Sequence, residues 1–99
     1  MRRAAKVDSN QNEIVRQLRR IPGVSVHVTS QMGKGYPDLN VGYKGRTFLI
    51  ELKDGNKAPS ARKLTPDEIE FKDGWKGHYA VANNLDDVLA IIQVKNNFQ

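Results

Sequence analysis

The spacing of apolar residues changes several times along this chain, and each change marks an element. Ile14, Val15 and Leu18 recur at helical spacing and predict a helix over about residues 9–20. Asp8, Ser9 and Asn10 offer capping oxygens at its start, and Pro22-Gly23 stops it. Val24, Val26 and Val28 then alternate with Ser25, His27 and Thr29, the pattern of a half-buried strand. Residues 30–36 form a glycine-bearing loop. A second strand is expected over about 38–41, a tight hairpin at Gly42-Tyr43-Lys44-Gly45, and a third strand over about 46–53. Residues 54–63 are polar and basic, the composition of a loop. Thr65-Pro66-Asp67-Glu68 combines an N-cap, a first-turn proline and a capping-box glutamate, so a helix begins there and ends near Gly74 or Gly77. A short strand at 79–82 follows. Asn84 then caps a last helix carrying Val88, Leu89, Ile91 and Ile92. The order is α-β-β-β-α-β-α, an α/β fold. No repeat or linker divides it, so residues 1–99 are expected to form one domain with a basic arm at 1–7.

The third strand separates charge from hydrocarbon. Strand residues two apart share a face, so Glu51 and Lys53 point the same way as Thr47 and Leu49. Phe48, Ile50 and Leu52 point to the core. A two-residue turn at Tyr43-Lys44 would set Asp38 opposite Leu49, one diagonal step from Glu51 on the same face. A slip of one residue would put the two carboxylates on opposite faces. A bulge at Gly42 or Gly45 would also change this register.

Composition narrows the classes. The chain has 99 residues, one Trp, three Phe and three Tyr, so its small core relies on Val, Ile and Leu. Dimerisation would bury more of it. There is no cysteine, which excludes disulfides and zinc–thiolate sites and fits a reducing cytosol. The charged N-terminus shows no signal peptide, and no apolar stretch is long enough for a membrane helix, so a cytoplasmic location is expected. Residues 1–63 carry 13 Lys/Arg against 5 Asp/Glu, whereas residues 64–99 carry 3 against 6. The positive excess favours a polyanionic partner.

That basic half also holds Tyr36-Pro37-Asp38 and Glu51-Leu52-Lys53. Two carboxylates can hold a hard cation through oxygen. Such a cation polarises a phosphate and lowers the pKa of a bound water. A lysine two residues along the strand can steer that water and screen developing charge. This is the layout of a magnesium-dependent phosphodiesterase site. Lys34, in a glycine-flanked loop just before it, can approach a phosphate, with Ser30 and Gln31 adding hydrogen bonds. Lys57, Arg62 and Lys63 follow the site. Arg2, Arg3 and Lys6 in the arm and Arg16, Arg19 and Arg20 on the first helix complete a set suited to salt-sensitive, sequence-independent binding. Glu68 is explained by its capping box, His27 sits on a polar strand face, and His78 opens a surface strand. The competing classes are a non-catalytic nucleic-acid-binding module and an RNA-binding domain. Paired carboxylates argue against the first, and scattered aromatics against the second.

These motifs carry a resemblance to the PD-(D/E)xK nuclease superfamily. Within it the chain resembles the viral replication-and-repair nuclease module, VRR-NUC, in its compact phage form. The matching stretches are Asn10-Gln11-Asn12-Glu13-Ile14-Val15, residues 33–39 around Pro37-Asp38, residues 49–55 around Glu51-Leu52-Lys53, and residues 63–68 with Phe71 and Trp75. The resemblance implies a restriction-endonuclease-like core, a mixed four-stranded sheet flanked by helices. It implies DNA cleavage with Mg²⁺ or Mn²⁺ held by Asp38, Glu51 and the Leu52 carbonyl, while Lys53 positions the water. It also implies a homodimer similar to Holliday junction resolvases, acting on four-way DNA junctions, with a nickase or flap nuclease sharing the same site as the alternative. A phage origin would make the host cytoplasm the location. The first helix of the superfamily often adds a carboxylate. Here Gln11 looks to occupy that place, near the centre of the apolar stripe, whereas Glu13 lies far from the stripe.

Overall fold

The structure is a computed structural model and describes residues 10–94. The basic arm with Arg2, Arg3 and Lys6, and the capping candidates Asp8 and Ser9, lie outside the described residues. The elements are α1 (Gln11–Leu18), β1 (Val24–Val28), β2 (Leu39–Tyr43), β3 (Arg46–Leu52), α2 (Pro66–Gly74), β4 (Tyr79–Ala82) and α3 (Leu85–Ile92). Short 3-10 turns at Ser30–Met32 and Pro59–Arg62 interrupt stretches expected as plain loop.

The four strands form one mixed sheet in the order β1-β2-β3-β4. The first three run as an antiparallel meander, and β4 pairs parallel to β3 after the α2 crossover. That crossover encloses β3, which explains why Phe48, Leu49, Ile50, Glu51 and Leu52 are all buried. One face of β3 joins the main core. There Phe48, Ile50 and Leu52 pack with Leu39 and Val41 of β2, Ile14, Val15 and Leu18 of α1, and Val88 and Ile92 of α3. Leu18, Leu39, Ile50, Leu52 and Ile92 are fully buried, each removing a side chain worth roughly 1.5–3 kcal/mol from water. Val28 was expected inward with Val26 but is exposed. It ends an edge strand, where neighbours stand on one side only.

Asn10 stands at the α1 N-cap but makes no side-chain cap; its Nδ2 donates instead to the Asn83 carbonyl at 3.1 Å, tying α1 to the β4–α3 link. Both other caps form as expected. Thr65 and Glu68 build a complete capping box on α2, and the Asn84 side chain accepts from Asp87 N–H at 2.8 Å on α3.

The hairpin differs in register. Tyr43 pairs with Arg46, so the turn is Lys44-Gly45, with φ of 51° and 78°. Positive φ at both centres is what a type I′ turn demands, and Lys44-Gly45 meets it more readily than Tyr43-Lys44 because its second residue is glycine. The register moves by two residues relative to expectation, so every side chain keeps its face. The paired register ends at Leu39 and Ile50, with Asp38 and Glu51 the next residue on each strand.

Candidate active site

Three segments converge beyond the β2–β3 hairpin. The loop before β2 carries Asp38, the end of β3 carries Glu51, Leu52 and Lys53, and the first turn of α2 carries Glu68. They line a cleft of about 420 Å³ with Ser30, Gly33, Gly35, Tyr36, Lys57, Ala61, Lys63 and Thr65. One glycine makes this convergence possible. Gly35 has φ +78°, and a Cβ there would lie 2.2 Å from the Asp67 carbonyl oxygen. The loop therefore passes against the α2 N-terminus with no side chain between them, which brings Asp38 and Glu68 to one place. Lys34 is held at φ 55° between Gly33 and Gly35, which also have positive φ.

The Asp38 carboxylate is oriented by the backbone: Oδ2 accepts the Leu52 N–H at 2.9 Å. The β2–β3 pairing ends at Leu39 and Ile50, and beyond it the Leu52 N–H goes to the Asp38 side chain. In an extended strand a residue's N–H and C=O point to the same side, so the Leu52 carbonyl faces the side on which Asp38 lies.

Glu51 is 4% exposed. Burial, then the Asp38 charge and the hydrogen bond and charge of Glu68, push its pKa up to about 9, against a lowering pull from Lys53. Lys53 Nζ lies 2.9 Å from Glu68 Oε1 and 3.5 Å from Glu51 Oε2. The same Glu68 Oε1 accepts the Thr65 N–H at 2.9 Å. Burial opposes ionisation of Glu68, but hydrogen bonds from Thr65 N–H, Lys53 and Glu51 hold its pKa below the ordinary carboxylate value. The capping role expected for Glu68 is present, and the same atom holds Lys53.

Other expected residues divide. Ser30, Lys57 and Lys63 line the cleft, and exposed Lys34 sits at its rim between two lining glycines. Gln31 is exposed and outside the lining, and Arg62 is half-buried outside it with its Nε unpartnered. Gln11 is buried, as its place in the stripe requires, but its Oε1 accepts from Ser30 Oγ at 3.0 Å, so it stands behind the cleft wall. Glu13 is turned away: its carboxylate takes hydrogen bonds from Arg16 and Gln17 on the α1 surface, and the Arg16 bond is the chief reason its pKa is lowered.

Tyr79 was not anticipated. It pairs with Leu49 on the Glu51 face, and its hydroxyl is buried without a hydrogen-bond partner. Burial, then the carboxylates of Glu51, Glu68 and Asp38, raise its pKa well above the usual phenol value. Period-two spacing from Val81, which pairs with Glu51, was the available signal.

Among the described residues no group of three His, Cys, Asp or Glu side chains is arranged to hold a metal ion. A smaller donor set remains: two carboxylates lining one cleft, and the Leu52 carbonyl on the Asp38 side of its strand. Asp38 raises the pKa of Glu51, so the two crowd like charges. A hard divalent cation relieves such crowding through oxygen ligands, with solvent completing its shell. The residues present fit one. Comparison of the chain with family models, curated proteins and solved structures gave no match. Among the described residues no helix is long and apolar enough to cross a membrane.

Proposed function

We propose that this protein is a divalent-metal-dependent DNA endonuclease with a PD-(D/E)xK core of the VRR-NUC kind, working as a homodimer on four-way junctions. The observation that carries it is that Asp38 and Glu51 line one cleft and Asp38 acts on the Glu51 carboxyl, with Lys53 beside Glu51 and the Leu52 N–H donating to Asp38. Asp38, Glu51 and the Leu52 carbonyl would hold Mg²⁺ or Mn²⁺. A cation so held supplies Lewis-acid polarisation of a phosphate and a lowered pKa for a bound water. The chain does the rest. Leu52 N–H fixes one Asp38 oxygen, and Asp38 lines the cleft. Glu68 holds the Lys53 ammonium 2.9 Å away and so fixes where its charge meets a phosphate. Lys57 and Lys63 line the cleft, and Lys34 at its rim completes a cationic border for the flanking phosphates. A two-fold dimer would present two such clefts to opposed strands of a junction.

The test is cleavage of a four-way junction in Mg²⁺ and in Mn²⁺, with splayed-arm, linear duplex and single-stranded DNA alongside, and Glu51→Gln in parallel. Paired symmetric nicks on the junction, lost in the variant, are expected. Cutting without junction preference would retain the nuclease and remove the resolvase assignment. Tight junction binding with no cutting in either metal would instead indicate a binding module.

A further inference from the structure

The cleft continues into a row of aromatic rings that the cleavage chemistry does not use. Tyr36 lines the cleft, and its ring meets Phe71 of α2 edge-on at 5.1 Å between centroids. Phe71 in turn stacks on Trp75 at 5.5 Å with the planes 16° apart. Trp75 is 42% exposed, although it is the largest apolar side chain of the chain. Its indole is nonetheless held in place. Phe71 backs it, and Gly77 lies so close that a Cβ there would be 2.9 Å from the indole Nε1. Phe71 also packs near Tyr79, at 6.2 Å, on the sheet face that carries Glu51. The row therefore begins at the candidate catalytic residues and ends in solvent as a fixed, flat ring.

Trp75 rests on Phe71, one helical turn earlier on α2, and keeps 42% of its surface open beside the cleft. Lys72 flanks the Phe71 side of α2, while Asp73 turns to the opposite side at 100° per residue. We infer that Trp75, backed by Phe71, is a stacking platform for an unpaired base of the strand whose phosphate occupies the cleft. This rests on the nuclease reading above and extends it to the substrate: the strand near the cut carries at least one unstacked nucleotide. Stacking on a ring accepts any base, so the platform adds affinity for open strands without sequence preference.

Trp75 is the single tryptophan of the chain, so its fluorescence reports on the platform alone. The full chain is titrated with a dye-labelled single-stranded oligothymidylate in Ca²⁺. Anisotropy reads binding and indole emission reads stacking. A second oligonucleotide of equal length and charge carries abasic positions throughout its centre. The expected result is binding with quenched emission, and affinity lower by roughly five- to a hundredfold for the abasic strand. Trp75→Ala should lose the same factor on the normal strand and nothing further on the abasic one, while Trp75→Phe recovers most of it. Equal affinity for both strands with unchanged emission would overturn the platform and leave the nuclease reading intact. Failure of single strand, duplex and junction alike to bind would overturn both.

Discussion

Glu51 should destabilise the metal-free protein at neutral pH, and replacing it by glutamine should reverse this. Its carboxyl is 4% exposed and its pKa rises from 4.5 to about 9. Burial is the main cause, followed by the Asp38 charge and the Glu68 contact. Between those two values the folded protein keeps a proton that the unfolded chain gives up. Unfolding therefore releases a proton, and stability falls as pH rises from about 4.5 toward 9. Each pH unit in that window costs about 1.4 kcal/mol, so by pH 7 the loss is about 3 kcal/mol. Glu51→Gln keeps the shape and a hydrogen-bond donor toward Glu68 but cannot ionise. At pH 7 the variant should be more stable by about 2–3 kcal/mol, worth roughly 10–20 °C in Tm for a domain of this size. Near pH 4.5 the advantage should vanish. Thermal unfolding in EDTA, followed by circular dichroism across this pH window, measures it. Parallel Tm curves for the two proteins, or a variant less stable at pH 7, would refute the reasoning. Saturating Mg²⁺ should stabilise the natural protein and leave the variant unmoved.

Other substitutions probe the scaffold. Gly35→Ala should cost at least about 1–3 kcal/mol in chemical denaturation, because its φ of +78° and the 2.2 Å approach to Asp67 leave no place for a methyl group. Glu68→Ala should cost about 1 kcal/mol from the lost cap and reduce cleavage by releasing Lys53, whereas Glu68→Gln should retain most of the stability. Glu13→Ala should leave cleavage unchanged in the junction assay, since its carboxylate is spent on Arg16 and Gln17 outside the cleft.

Strong local signals were legible in the chain. Proline, threonine and glutamate at the start of α2 form the expected box, and the 79–82 strand has the expected limits because glycine precedes it and a capping asparagine follows. Face assignments in β3 hold because period two is fixed by the backbone. Register was less legible, since two glycines bracket Tyr43-Lys44 and either can serve the turn. Placing the turn at Lys44-Gly45 shifted the register by two residues, so that Asp38 and Glu51 come next beyond the last pair, Leu39 and Ile50. Contacts between elements distant in sequence were not legible at all. The capping box accounts for Glu68 locally, and no local signal reveals that Lys53 lies under α2. Gln11 faces inward as its spacing requires, yet its partner Ser30 is nineteen residues away. Tyr79 meets the carboxylates only because β4 pairs parallel to β3.

The cation-holding role of Asp38 and Glu51 is tested most directly by titrating Mn²⁺ into the protein with a short DNA duplex present, following free Mn²⁺ by electron paramagnetic resonance. Saturable binding to the natural protein, lost in Asp38→Asn and in Glu51→Gln but retained in Glu13→Ala, is the expected result. Undiminished binding in Asp38→Asn, or none in the natural protein, would contradict it.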